Sequence, residues 1–235
     1  MVPGLFVTLE GSEGTGKSTN AILLERFLRS RGLSVLALRE PGGTALGEEI
    51  RHLLKRTDLP VPPCAEGELL LFLASRAQLV RERIQPALDQ GISVICDRYF
   101  DSTLAYQGGA RSLDLETVKT LNRFAAGGCI PDLTFLLDLP PEVGLRRIAR
   151  RLGRGRDRME RESLEFFQRV RQSYLSLAAA EPERFHRVDA DQSPVAVQRE
   201  LRRVLEKRLA RPDAGPDRIV RFPAPPAGGK VLPPE

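Results

Sequence analysis

Long apolar runs, paired cysteines and lysine are all scarce in this 235-residue chain, and the first two scarcities each close off a class of protein. The longest apolar run, Leu69 to Ala74, is too short to cross a bilayer. The N-terminus has neither the basic region nor the small-residue cleavage site of a secretory signal, so the expectation is a cytoplasmic protein with no membrane partner. Cys64, Cys96 and Cys129 are odd in number and far apart, which argues against a disulfide framework or a zinc site and suits a reducing compartment. Lysine stands at only five positions, so 31 of the 36 basic residues are arginine, and the formal net charge is +5. Such a bias fits phosphate binding and also fits genomic composition; composition alone does not separate the two. No helix-turn-helix, zinc or aromatic-platform segment stands apart from the rest, so a nucleic-acid partner is not expected.

Against these absences stands one strong motif. Gly11, Ser12, Glu13, Gly14, Thr15, Gly16, Lys17 and Ser18 match the phosphate-loop pattern G-x-x-x-x-G-K-[ST] at every fixed position, with Thr19 directly after. The β-prone run Leu5 to Leu9 precedes it. Ala21, Ile22, Leu24, Phe27 and Leu28 follow at helical spacing, so the loop joins a strand to a helix. Glycines let the backbone curl until successive N–H groups point at phosphate oxygens, and the helix N-terminus adds partial positive charge. Lys17 then pairs with the β- and γ-phosphates of a nucleotide, and the Ser18 hydroxyl ligates Mg²⁺.

Strand candidates run from Leu5 to Leu9, Leu33 to Leu38, Ile92 to Cys96, Leu133 to Leu139 and Phe185 to Val188. Helical patterns cover 17–31, 44–56, 65–89, 114–126, 141–152, 160–180 and 194–210. Alternation of this kind predicts an α/β fold, a parallel sheet with helices on both faces. The strands are apolar throughout, as strands buried on both sides are. Residues 1–211 form one domain on this reading. From Pro212 to Glu235 the chain has seven prolines, three glycines and few large apolar residues, which predicts a disordered tail. The third strand ends in Asp97 and Arg98, at the carboxyl edge where open α/β sheets bind ligands. An acid there holds Mg²⁺ directly or through water, and Arg98 clamps a second anionic group.

Arg39-Glu40-Pro41-Gly42-Gly43-Thr44, Phe72-Leu73-Ala74-Ser75-Arg76 and the run from Asp97 to Gly108 together resemble the bacterial thymidylate kinases, a branch of the phosphate-loop nucleoside monophosphate kinases. The similarity continues through Pro131-Asp132-Leu133 and the arginine-rich stretch to about residue 210. It implies transfer of the ATP γ-phosphoryl group to dTMP with Mg²⁺, a five-stranded parallel sheet and a homodimer. Phe72 and Arg76 stand four apart on a helix and share a face, so they can offer a ring to stack on a base and a guanidinium to meet a carbonyl. Read alone, Phe72 suits the core better, because leucines surround it. The resemblance assigns it to the base. It also assigns Ser102, Thr103 and Gln107 to the base edge, Tyr106 to the sugar, and Glu13 to the sugar 3′-hydroxyl and phosphates. Arg39, Arg51 and Arg98 match positions around the acceptor phosphate, with Glu40 and Pro41 in the same segment.

Eight arginines lie between Arg146 and Arg161, interrupted by Gly153 and Gly155. A solvated helix end would look the same, as would a nucleic-acid patch. The alternative is a mobile lid over about 146–161, which brings positive charge to the migrating phosphoryl group. Some thymidylate kinases carry an arginine in the phosphate loop at the position of Gly14, and others supply it from the lid. This chain resembles the second kind, with Arg151, Arg154, Arg156 and Arg158 as candidates. The rival readings are another nucleotide kinase and a phosphate-loop ATPase that binds nucleic acid.

Overall fold

The computed structural model of the chain describes residues 4–150 and 155–210. Five parallel strands form one sheet among these residues: β1 (Phe6–Glu10), β2 (Val35–Arg39), β3 (Ser93–Asp97), β4 (Leu133–Asp138) and β5 (Phe185–Asp189). Every residue of β1 and β4 is buried, which is why these strands read as continuous apolar runs rather than alternating ones. The spatial order is β2-β3-β1-β4-β5. The chain therefore turns to opposite sides of β1, and the crevice beyond its carboxyl end is where such sheets bind ligands.

Helices α1 (Lys17–Ser30) and α9 (Pro194–Leu209) cover one face, where Leu24, Leu28, Leu201 and Leu205 pack on Val7, Leu9 and Phe135. On the other face Phe6, Val94 and Tyr99 meet Leu79, Val80 and Ile84, and a neighbouring cluster joins Leu136 to Phe167 and Tyr174. Helix α2 (Ala45–Lys55) is capped by the Thr44 hydroxyl, which accepts from the Gly47 N–H at 3.0 Å. Helix α3 (Ala65–Leu79) passes through a π-helical turn, Val80–Ile84, into α4 (Gln85–Asp89), so the pattern read as one helix over 65–89 is one helical rod with a widened turn.

The structure adds a helix that periodicity did not announce. α5 (Phe100–Thr103) continues through a π-helical turn, Leu104–Ala110. Buried Asp101, Thr103 and Gln107 interrupt its apolar pattern, and Gly108-Gly109 reads as a break. Gly109 is instead a contact point, since a Cβ there would lie 1.9 Å from the Ser173 hydroxyl oxygen. Helix α6 (Leu115–Ala126) follows, then α7 (Pro141–Ala149). The pattern read over 160–180 is a 3₁₀ turn, Met159–Arg161, followed by α8 (Leu164–Ala180), because the Ser163 hydroxyl accepts the Phe166 N–H at 3.2 Å and starts a new helix there. The expected tail, 212–235, lies outside the described residues. No described helix is long and apolar enough to cross a membrane.

Candidate active site

The phosphate loop closes on its own lysine. Lys17 Nζ donates to the Gly11 carbonyl at 3.0 Å, the Ser12 carbonyl at 2.7 Å and Thr15 Oγ1 at 3.3 Å. Burial first, and Arg98 second, push its ammonium down to about 8, so it stays largely charged at neutral pH. Gly11, Ser12 and Thr15 build the back of the loop. Glu13, Gly14, Gly16, Lys17, Ser18 and Thr19 line a cavity of about 440 Å³. Gly14 has φ 74°, and a Cβ there would lie 2.4 Å from the Gly144 carbonyl oxygen on α7. An arginine at this position would have to displace that helix. At this position the loop has room for glycine alone.

Strand β3 delivers the second element. The Ser18 hydroxyl donates to the Asp97 carboxylate, which brings together the two groups expected to share a cation. No group of three or more His, Cys, Asp or Glu side chains among the described residues is arranged to hold a metal by itself. Next to Asp97, Arg98 has φ 71°, a left-handed backbone rare outside glycine and held here by its surroundings. Its Nη2 donates to Glu13 at 2.7 Å and to the Tyr106 hydroxyl at 3.1 Å; its Nη1 donates to the Gly11 carbonyl at 3.0 Å. Burial works to raise the Glu13 carboxyl, yet Arg98 and Lys17 bring it below its ordinary value, so it is ionised at neutral pH.

The opposite wall comes from β2, α2, α3 and the helix after β3. Arg39, Glu40, Pro41, Arg51, Phe72, Ser102, Thr103, Tyr106 and Gln107 all line the same cavity as the phosphate loop. Arg39 and Arg51 both donate to the Pro41 carbonyl, at 3.0 and 2.9 Å, so two like charges share one acceptor. Burial, with Arg39 second, lowers the Arg51 pKa. Phe72 is half-buried on the cavity wall and is no core residue.

Arg76 departs from the expectation. It is 1% exposed and does not line the cavity. Its guanidinium is spent on protein groups behind the wall: Glu40 at 2.6 Å, Thr103 Oγ1 at 3.0 Å and Asn122 Oδ1 at 2.6 Å. Four apart on one helix face, Phe72 and Arg76 divide between surface and interior. Arg76 thus holds two cavity residues, Glu40 and Thr103, in place.

Arg151 and Arg154 lie outside the described residues. Arg156 is exposed. Arg158 does not line the cavity: its Nη2 donates to Glu68 at 2.6 Å and its Nε to the Leu54 carbonyl at 3.0 Å, while the neighbouring Asp157 pairs with Lys55 at 2.8 Å. Buried Glu68 also accepts from Gln107 and Arg111, so this arginine docks its segment on α2 and α3. Arg158→Ala should therefore cost ~1–3 kcal/mol of stability. A melting temperature lowered by several degrees, with kcat reduced far less than ~10³-fold, is the expected pair of measurements.

Several residues at the site escaped the sequence reading, Arg147, Lys55 and Asp157 among the cavity lining and Glu10 and Tyr174 behind it. Arg147 lines the cavity and donates to the Ala190 carbonyl at 3.0 Å and to Asp191 at 3.2 Å, joining α7 to the loop after β5. It belongs to the arginine-rich stretch, so only the choice of candidates within that stretch passed it over. The Tyr174 hydroxyl on α8 accepts from Arg98 and donates to Glu10 on β1; Tyr174 sits at a core-facing helical position and carries no separate signal.

The chain as a whole has known counterparts. The chain matches the family model described as thymidylate kinase over residues 9–201. It is 52% identical over 211 residues to the thymidylate kinase of Synechococcus sp. (strain JA-2-3B'a(2-13)), covering 90% of this chain and 98% of that one. The thymidylate kinase of Carboxydothermus hydrogenoformans is 52% identical over 204 residues, 86% of this chain and 97% of its own. A crystal structure of thymidylate kinase from Ehrlichia chaffeensis superposes with a TM-score of 0.68 at 34% identity, covering 86% of this chain and 99% of that chain. With the family model spanning residues 9–201 and these relatives 52% identical over 86–90% of its length, the chain belongs to the thymidylate kinase family.

Proposed function

We infer that this chain transfers the γ-phosphoryl group of ATP to dTMP, giving dTDP and ADP in the supply of dTTP. The observation that carries this reading is that one cavity joins the phosphate loop to a wall holding Phe72, Thr103, Tyr106 and Gln107, with Arg98 between them. Two nucleotides can then meet phosphate to phosphate. The loop N–H groups and Lys17 hold the ATP β- and γ-phosphates, and Arg147 with the Ala190–Asp191 loop supports the adenine side. Arg98 grips the acceptor phosphate, with Arg39 and Arg51 nearby. Ionised Glu13 accepts a hydrogen bond from the sugar 3′-hydroxyl while neutralising Arg98. Phe72 stacks on the base, and Thr103 and Gln107 meet its polar edge.

The adjacent Ser18 hydroxyl and Asp97 carboxylate are hard oxygen donors suited to Mg²⁺, which keeps several waters and takes its other ligands from phosphates. When bound, Mg²⁺ neutralises charge on the β- and γ-phosphate oxygens. Phosphoryl transfer needs little covalent help from the protein, so these residues act by placing the two phosphates in line and by screening their charge. A lid arginine from 151, 154 or 156 completes that screening.

A homodimer also fits: packed helices α3 and α6 turn Leu70 and Phe124 to solvent, the latter 76% exposed. A cytoplasmic setting fits the substrates. Phosphorylation of dTMP, dUMP, dCMP, dGMP and dAMP by ATP, measured side by side, tests the assignment. Preference for dTMP by at least ~100-fold over dCMP is the expected result, and equal rates across the panel would replace it with a general nucleotide kinase.

A further inference from the structure

Glu10 has no part in the roles assigned above, although it stands directly before the phosphate loop at the end of β1 and is completely buried. Both of its oxygens are engaged. Oε1 accepts the Tyr99 N–H at 2.7 Å, and Oε2 accepts the Ser102 hydroxyl at 2.6 Å and the Tyr174 hydroxyl at 2.8 Å. The same two hydroxyl oxygens lie 3.2 and 3.3 Å from Arg98 Nη1 and 2.8 Å from each other. A hydroxyl has one hydrogen and two lone pairs, and an ionised carboxylate has no hydrogen to give. With Glu10 ionised, both hydroxyl hydrogens turn to it and the lone pairs are left facing the guanidinium.

We propose that Glu10 is a positioning residue for Arg98, drawing the Ser102 and Tyr174 hydrogens to itself so that both oxygens act as acceptors for the Nη1 edge. The inference rests on the reading that Arg98 grips the acceptor phosphate. Arg98 needs such help because its backbone occupies the left-handed region, so its direction is set by side-chain contacts. Glu13 and Tyr106 hold the Nη2 edge. The Nη1 edge meets the Gly11 carbonyl at 3.0 Å and, beside it, the two hydroxyl oxygens that Glu10 orients. The Glu10 carboxyl is pushed up to about 7, by burial first and by Asp101 second, against the opposing pull of Ser102, Arg98 and Tyr174. Lys17, Arg76 and Cys96 also face it. Ionised Glu10 is thus a group that the fold carries at a cost in stability.

Glu10→Gln separates positioning from packing. Glutamine keeps an oxygen for the Tyr99 N–H but puts an NH₂ group where the two hydroxyls donate; one hydroxyl hydrogen can then go to the other hydroxyl, 2.8 Å away, and the second turns toward Arg98, where donor faces donor. The expected result is a dTMP KM raised about tenfold with the ATP KM within about twofold of wild type. Tyr174→Phe, which removes one intermediary, should raise the dTMP KM by about threefold. Stability should move the other way. A carboxyl whose folded pKa is raised loses stability as pH climbs from its unfolded value of 4.5 toward about 7. Glutamine has no such loss, so the melting temperature of the variant minus that of wild type should grow between pH 5 and pH 8. A purely structural glutamate would give a lower melting temperature at both pH values with both KM values disturbed together, and that outcome overturns the proposal. Arg98→Ala keeps the two readings apart. If it leaves the dTMP KM unchanged, the role of Arg98 itself is wrong; if it raises that KM while Glu10→Gln does not, only the inference about Glu10 falls.

Discussion

Lys17→Ala should lower kcat by ~10³-fold or more while the protein stays folded. The lysine is buried, but what it touches is the loop itself: the Gly11 and Ser12 carbonyls and the Thr15 hydroxyl. Lys17 itself lines the cavity, so removing its side chain opens a path by which water can replace it at those oxygens. The fold also sheds an ammonium whose burial already depresses its pKa. These effects oppose each other, and a melting temperature within a few degrees of wild type is the expected result. Charge stabilisation at the β- and γ-phosphates has no such substitute, because water at that position neither stays fixed nor carries charge. Steady-state kinetics beside a thermal melt checks both halves. A folded variant with near-normal turnover would remove Lys17 from the phosphate site.

How far the sequence reveals this site follows from how each residue is positioned. The phosphate loop is legible because its function needs a local backbone shape, and glycines at fixed spacing followed by Lys17 and Ser18 can be read along the chain. Asp97 and Arg98 are legible for a similar reason, standing at the end of an apolar run. The five strands are legible because burial on both faces leaves a continuous hydrophobic signature. The helix from Phe100 to Ala110 is not, since its inward face is built of Asp101, Thr103, Tyr106 and Gln107, whose partners come from distant segments. Arg184, for example, reaches Asp101 from 83 positions away, at 2.7 Å. The partners of Arg158 are hidden in the same way, because a charge on a lid and a charge docked on Glu68 look alike until α3 is packed. Periodicity records which side chains face inward; it carries no record of what they meet there.

Arg76 shows that limit most sharply and gives the second large effect. The sequence places it on the face of Phe72 as a donor to a base carbonyl, whereas the structure buries it behind the cavity wall and binds it to Glu40. Burial raises the Glu40 carboxyl even with the guanidinium beside it, so without Arg76 the carboxylate has no compensating charge. Breaking a buried ion pair by removing one partner costs ~3–5 kcal/mol. For a chain of this size that corresponds to a melting temperature lower by about 10 °C. Arg76→Ala should show that fall together with a raised dTMP KM, since Glu40 and Thr103 lose their support. Adding Glu40→Gln should recover part of the stability by removing the stranded charge, and none of the dTMP affinity. Arg76→Lys should fall between, because one ammonium cannot meet Glu40, Thr103 and Asn122 together. The competing role predicts a different pattern. A guanidinium that reads the base directly would, on substitution, leave the melting temperature nearly unchanged and let dCMP compete with dTMP. Thermal melts of the three variants, with kcat/KM for both nucleotides, decide between an arginine that builds the pocket wall and one that touches what binds inside it.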